Sequence, residues 1–453
     1  MAYRYGTRNQ RMLLPMSIEE YVTLEDPVRV YDAFVEVLDL SELGMVYDAK
    51  QVGPPEYEPV SMLKLLVYGY SYGIRSSRKL EQAVHHNLSF IWLVGGLRPD
   101  HKTIALFRRN HQKVLRQVLK QCVRMCLRLG LVEGNVLFVD GTKIKANASK
   151  SQSWTLSRCE KVLEQADQRI EQLLEEIEQI DQTEEGQSSL VQMQEDLTRQ
   201  EELRRRVREI AQDLQKQKTS PGKINVVNGV DPESRVIGHK HQSTLQGYNG
   251  QLVCDGKHGL IVSTEVVNRS NDLQQFSDQI QLAEENLGRS CDTAVADAGY
   301  YSTKTMAQVL QRGTRVIVPT PKSRTGGETP IEFDKKSFVY DATDDSYLCP
   351  QGQRLRRFTR DERGRYRYRV ARAELCHACV HWGVCTRAKH GRMIVRLEHE
   401  EVRERVQKEL EQPESRKIFA KRKEVVEHPF GYLKGVLGMR QFLLRGFSGV
   451  RAE

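Results

Sequence analysis

What this 453-residue chain lacks narrows its class before any motif is read. No apolar run approaches the ~18 residues that a membrane-spanning helix needs. The first fifteen residues, MAYRYGTRNQRMLLP, hold no apolar stretch long enough for a secretory signal. Together these absences predict a soluble, cytoplasmic protein. The cysteine spacing of a secreted, disulfide-stapled chain is missing too. Five of the nine cysteines are isolated, and the other four, Cys349, Cys376, Cys379 and Cys385, are grouped as in a metal-binding segment. Neither sign of charge dominates: 69 Lys and Arg against 60 Asp and Glu leave +9, a mild bias towards a polyanionic partner. What is present, 39% hydrophobic residues, suffices for packed cores and excludes a disordered chain. The length accommodates about two to four domains.

Residues 1–130 read as short helices. One starts at Pro59, a second behind Ser76, and a third behind Asp100 as N-cap, in an order open to either a helix-turn-helix or an ordinary helical domain. If the third helix enters a DNA groove, Lys102, Arg108 and Arg109 are its reading residues. Over 151–220, Val162, Ala166, Ile170, Leu173, Ile177 and Ile180 step by threes and fours. After a break at Thr183–Ser189, Leu203, Val207, Ile210 and Leu214 do the same, which predicts a two-helix antiparallel coiled coil serving as a spacer. The pattern then turns α/β. A hairpin over 246–255 and 259–267 precedes a helix capped by Asp272 and running to about Leu287. A buried strand over 292–297, a helix near 303–312 and a strand over 314–319 follow. Residues 321–400 form a polar, cysteine-bearing insertion. A last helix runs from Pro413 to about Leu437 and should kink at Pro429.

The chemistry concentrates where apolar strands meet carboxylates. In Val136-Leu-Phe-Val-Asp-Gly-Thr-Lys-Ile-Lys145, an apolar run ends in Asp140. Asp-Gly alone is ordinary turn chemistry, but Thr293-Ala-Val-Ala296 runs into Asp297 in the same way. Parallel neighbouring strands bring their C-terminal ends together, and ligands bind there. The last helix offers a third acid, Glu427, on one stripe with Lys423, Gly431 and Lys434. The element order β(Asp140), β, β, α, β(Asp297), α, β, α(Glu427) is that of a ribonuclease-H-like fold. The coiled coil is inserted after its first strand and the cysteine segment before its last helix. Three carboxylates suit Mg²⁺ or Mn²⁺, two of which can clamp the attacking and leaving oxygens of a phosphodiester.

Four segments carry a family likeness: Gly73–Glu81, Phe138–Asn147, Ala296–Tyr301 and Val426–Lys434. Through them the chain resembles bacterial insertion-sequence transposases of the DDE type over nearly its whole length. The resemblance implies an α/β, ribonuclease-H-like catalytic body built from 131–150, 235–320 and 401–453. A helical DNA-binding domain (1–130), the coiled-coil insertion (151–220) and a Cys/Arg-rich insertion (321–400) complete it. It implies that Asp140, Asp297 and Glu427 bind the metals; Glu424, three residues earlier on the helix, is the fallback third acid. Lys434 stands seven residues after the glutamate, as in the family's Tyr-Arg-Glu-Lys signature, and takes its end-binding role. The signature's arginine is Lys423 here, with Arg422 beside it, and its tyrosine is Ala420, beside Phe419. Lys143, Lys145, Arg422 and Lys423 are further candidates for phosphate contacts. The activity implied is metal-dependent cleavage and strand transfer at transposon ends, with terminal inverted repeats and target DNA as partners and a homodimer in the synaptic complex. A non-catalytic DNA-binding derivative and a metal-dependent nuclease without strand transfer stay open as alternatives.

Cys376-His-Ala-Cys379, with Cys385 and Cys349, is a candidate site for one structural Zn²⁺, against a reading as reduced core thiols. His377 and His381 are spare ligands, whereas His239 and His241 read as polar or DNA-facing. Between Arg354 and Arg372 stand nine arginines and two acids. Arg365, Arg367 and Arg369 alternate with Tyr366, Tyr368 and Val370, so one strand face is guanidinium and suits phosphates.

Overall fold

The computed structural model describes residues 16–39, 42, 56–181, 187–216, 226–239, 242–321, 333–361 and 364–453. His241 and residues 183–186 of the expected helix break lie outside them, as do the side chains of His239 and Ile180.

The N-terminal part is helical: α1 (Ile18–Tyr21), α2 (Val28–Glu36), α3 (Pro59–Ser71), α4 (Ser77–His86), α5 (Leu88–Leu93), α6 (His101–Asn110) and α7 (Gln112–Arg128). Proline opens α3, where its missing N–H costs nothing. Asp100 caps α6 by accepting from the Thr103 N–H at 2.7 Å, as its position predicts. Leu65, Leu66, Leu80, Val84, Phe90 and Ile104 close the core of this region. Helix α7 serves two cores. Val114 and Val118 pack with Val35, Leu38 and Leu63, while Val123, Cys126 and Leu127 join the core beneath the main sheet. The helical region and the α/β body therefore share one helix, α7, which ends at Arg128 just short of the expected boundary near 130.

Strand β1 (Val136–Lys145) opens the body, followed by β2 (Ser153–Trp154), the long helices α8 (Leu156–Asp181) and α9 (Gln187–Lys216), and β3 (Val227–Asn228). Helices α8 and α9 bury Ala166, Ile170, Leu173, Val207 and Leu214 between them. The Asp167–Arg204 ion pair, at 3.2 Å, bridges the two helices at the edge of that apolar seam. Next come β4 (Arg235–His239), β5 (Gln242–Asp255), β6 (Ile261–Val267), α10 (Phe276–Leu287), β7 (Thr293–Val295), α11 (Thr303–Gln311) and β8 (Arg315–Ile317). The sheet order is β4-β5-β1-β7-β8, with β6 also on β5. Strands β1, β7 and β8 are parallel, and β5 runs antiparallel to β1.

A second sheet holds β9 (Val339–Asp341), β10 (Ser346–Leu348), β11 (Arg354–Arg360), β12 (Tyr366–Val370) and, beyond the short α12 (Glu374–His377), β13 (Met393–Arg396). The chain then returns through α13 (Glu400–Glu411), α14 (Pro413–Gly431) and α15 (Gly446–Ala452). No helix among the described residues is long and apolar enough to cross a membrane.

Alternation along β1 decides what each layer receives. Leu137 and Val139 pack with α7, α10 and α11. Phe138 packs with Val295, Ile317 and Val426 under α14. Two residues on from Phe138 and Val295, Asp140 and Asp297 inherit the α14 face. One expectation needs correcting. Strand β1 does not end at Asp140, because its ladder with β5 continues to the Lys145–Gly247 pair. Only the parallel pairing with β7 stops early, at Phe138–Val295.

Candidate metal and DNA site

Asp140 sits just past that last parallel pair. Its Oδ1 accepts the Gly141 N–H at 2.9 Å, and its Oδ2 accepts from Arg422 Nη1 at 3.1 Å. Burial pushes this carboxyl above its ordinary range, and Asp297 adds to the push, against the Gly141 N–H and the Arg422 guanidinium. Asp297 caps the turn Ala298–Tyr300, its Oδ1 accepting the Gly299 N–H at 2.7 Å. Two like charges held near each other, one of them half-buried, are an expense that a cation relieves.

Helix α14 presents Arg422 and the buried Val426 to the sheet. Glu427, five residues past Arg422, lies about 140° around the helix at ~100° per residue. It is exposed and lines a groove with Lys423, Glu424 and the Gly256–Gly259 turn. The structure thus gathers Asp140, Asp297 and Arg422, and leaves Glu427 and its fallback Glu424 on another side of the helix. Among the described residues, no three His, Cys, Asp or Glu side chains converge closely enough to hold a metal as they stand. The helix runs through Pro429 and passes into a π-helical turn, Tyr432–Val436. From that turn Lys434 donates to the Thr142 hydroxyl and to the Lys143 carbonyl at 3.4 Å. Burial, helped by Arg440, pushes its amine below the ordinary range.

Several expected phosphate contacts turn out otherwise. Lys143 points to the reverse face of β1, its Nζ 3.5 Å from Asp272 Oδ1 and its side chain 19% exposed, so it is not presented to DNA. Lys145 is exposed. Arg108 is buried, donating to the Tyr70 hydroxyl at 3.0 Å and the Arg75 carbonyl at 2.9 Å. It therefore braces α6, leaving Lys102 and Arg109 as that helix's exposed cations. In the arginine hairpin, Tyr368 and Val370 are buried. Arg365 pairs with Asp361 at 2.6 Å, and Arg367 with the same carboxylate at 3.6 Å. Arg369 is exposed, lies over the Phe358 ring at 4.3 Å and stands in register opposite the exposed Arg356.

Sequence reasoning missed a set behind β1. Asp272 is not the cap of α10, which begins at Phe276 behind Gln275. Its Oδ1 accepts from Asn249 Nδ2 at 2.6 Å and from Gln251 Nε2 at 2.8 Å, and the Tyr300 hydroxyl donates to Gln251. The available signal was Asn249 and Gln251 alternating on one face of a strand that ends in the apolar run Leu252-Val-Cys254.

The four grouped thiols border one small cavity, though not close enough together to hold a metal as they stand. Cys349, Cys376, Cys379 and Cys385 line a cavity of about 30 Å³ together with His381. The Gln353 N–H points to Cys349 Sγ at 3.2 Å and the Arg392 N–H to Cys376 Sγ at 3.5 Å. All four are unpaired by disulfides. Burial pushes the Cys385 thiol up; the other three thiols act in the same direction, and Arg392 opposes them. His377 turns outward, to the Lys389 carbonyl.

Residues 16–110 match the family described as a transposase domain, and residues 348–453 the family described as a transposase DDE domain. The second match takes in the cysteines and Glu427 but neither Asp140 nor Asp297. No curated protein matches the sequence. A solved synaptic complex of piggyBac transposase with hairpin DNA is similar at 10% identity and a TM-score of 0.27, covering 72% of this chain. The chain spans 59% of that protein's length.

Proposed function

From the premise that this chain belongs to the transposases of the DDE type, we propose that it cuts and joins DNA at the ends of an insertion sequence. Its catalytic body on this reading is ribonuclease-H-like, and its metal carboxylates are Asp140, Asp297 and Glu427. The observation that carries the proposal is the meeting of Asp140 and Asp297 beyond adjacent parallel strands, on the face covered by α14. The mixed sheet, with β4, β5 and β6 joined by antiparallel pairings beside the three parallel strands, supports the fold.

The donor set, carboxylate oxygens, fits a hard divalent ion, Mg²⁺ or Mn²⁺. Such an ion would polarise the scissile phosphate and render water, or a freed 3′-hydroxyl, nucleophilic. The chain's own residues do the rest. Lys434 and Arg422, on the face covered by α14, and the exposed Lys145 at the end of β1 neutralise backbone phosphates and orient the end. Lys102 and Arg109 on α6 and the Arg356–Arg369 pair hold DNA farther out. Glu427 completes the carboxylate set when α14 turns about its axis, with Arg422 moving from Asp140 to phosphate. Pro429 and the π-helical turn are where such a rotation is least resisted. Synapsis of two ends calls for two copies, since one chain carries one carboxylate pair.

Asp140→Asn, Asp297→Asn and Glu427→Gln each remove a ligand charge with little change of shape. Each variant should lose cleavage of labelled end DNA in Mg²⁺ or Mn²⁺ while retaining end binding. Full cleavage by any of them removes that residue from the site, and cleavage without strand transfer by the wild type would leave a nuclease.

The cysteine cavity supports a separate structural Zn²⁺ held by Cys349, Cys376, Cys379 and Cys385. Backbone N–H groups of Gln353 and Arg392 point at two of the sulfurs. Protein purified without added metal should contain about one equivalent of zinc. Its absence, with all four thiols titrating freely, leaves the core-thiol reading.

A further inference from the structure

Behind β1, on the face away from α14, lies a buried polar cluster with no part in the site as proposed. Asp272 gathers Asn249, Gln251 and Lys143, and Gln251 receives the Tyr300 hydroxyl. These residues come from the continuation of the Asp140 strand, from its antiparallel neighbour, and from the two ends of the segment that carries Asp297. Asn249 and Gln251 are 0% and 2% exposed. Amides buried that deeply cost stability unless bonded, and one Asp272 oxygen serves both.

Gly141 is where the cluster reaches the strand. A Cβ at that position would lie 2.7 Å from Gln251 Nε2, 2.8 Å from Asp272 Oδ1 and 3.0 Å from the Tyr300 hydroxyl. Only glycine lets the carboxylate come up against the backbone next to Asp140. On the other side, the space beside Gly299 is bounded by Asp297 Oδ1 at 2.9 Å and Asp272 Oδ2 at 3.8 Å. Asp272 therefore stands immediately behind both site carboxylates.

Lys143 gives this arrangement a consequence. Its ammonium lies within electrostatic reach of Asp272, Asp140 and Asp297 together. A lysine without a fixed partner would settle on the two site carboxylates, where partial burial strengthens Coulomb attraction, and would compete there with a divalent cation. We propose that Asp272 is a positioning residue: it tethers Lys143 to the reverse face of β1 and so keeps Asp140 and Asp297 open to the metal. The tether also braces the turn after Asp297 through Gln251 and Tyr300. The inference rests on the reading of Asp140 and Asp297 as metal carboxylates, and it makes Lys143 an internal charge rather than a DNA contact.

The test is Mn²⁺ affinity of the full-length protein without DNA, read by calorimetry and by the electron paramagnetic resonance signal of free Mn²⁺, with melting temperature recorded alongside. Asp272→Asn keeps an acceptor oxygen for the two amides but releases Lys143. It should weaken Mn²⁺ binding by about 10–100-fold, as loss of groups behind metal ligands does. Adding Lys143→Met to Asp272→Asn should restore the affinity towards wild type, a rescue that a packing role would not give. Wild-type Mn²⁺ affinity in Asp272→Asn, or a double variant binding no better than the single one, overturns the proposal. A wild-type protein with no Mn²⁺ site that Asp140→Asn removes would instead overturn the metal reading beneath it.

Discussion

Glu400 opens α13 with a side chain 2% exposed, and three donors converge on it: Lys335 Nζ at 2.6 Å, the Leu397 N–H at 2.7 Å and Arg403 Nη1 at 3.0 Å. Burial alone would raise this carboxyl, but the Lys335 bond, the Leu397 N–H and the nearby cations outweigh it and hold the group below its ordinary range. A depressed carboxyl contributes stability at pH values above its unfolded-state value, and that contribution is lost as pH falls through the depressed one. Glu400→Gln should therefore cost about 3–5 kcal/mol near neutral pH, as for one partner removed from a buried pair. The gap between variant and wild type should close as the solution is made acid. Denaturant unfolding at a series of pH values measures it, and a gap independent of pH would assign the loss to packing. At this scale the sequence was legible for Asp140 and Asp297, because a period of two puts a residue on the face of the apolar neighbour two places earlier. It was not legible for Lys143 and Arg108. Long cationic side chains run along apolar surface and choose their partners by tertiary contact, here Asp272 and the Tyr70 hydroxyl, which no local pattern specifies.

At the scale of elements, α14 is the least legible part. Ile418, Arg422, Val425, Val426, Phe430 and Leu433 spread apolar and charged residues around most of its circumference, so spacing did not choose between the Arg422 and Glu427 stripes. Packing of Val426 against Phe138 and Val295 chose Arg422. The coiled coil and the α/β order were legible because long periodic segments outvote local ambiguity. The arginine hairpin was legible in its alternation but not in its pairings: Arg365 and Arg367 share Asp361, whereas Arg356 and Arg369 face each other across β11 and β12. Like charges directly opposite repel, and a DNA phosphate relieves that repulsion. Replacing Arg356 and Arg369 with alanine should weaken binding to end and non-end DNA alike. It should also flatten the slope of log affinity against log salt by ~0.9 for each phosphate no longer neutralised. A titration across salt concentrations checks this. An unchanged slope, or a weakening confined to end sequences, would show that the pair does not meet phosphates.

At the scale of the whole molecule, the helical region is joined firmly to the α/β body. Helix α7 enters both cores. Arg75 pairs with Glu453 beyond α15, and Glu265 on β6 takes both Arg451 and, at 3.4 Å, Arg116 of α7. On the proposed function, a DNA end gripped by the N-terminal helices is held at a fixed reach from Asp140 and Asp297. The central claim is that those two acids mark where the metal binds, and iron-directed cleavage tests it most directly. With Fe²⁺ in place of Mg²⁺, and ascorbate and peroxide added, hydroxyl radicals cut the polypeptide beside the bound ion. The account predicts two cuts in the full-length protein, near residues 140 and 297, both lost in Asp140→Asn, with a third in α14 near Glu427 when end DNA is bound. Cuts confined to the cysteine segment, or none near residues 140 and 297, would contradict it.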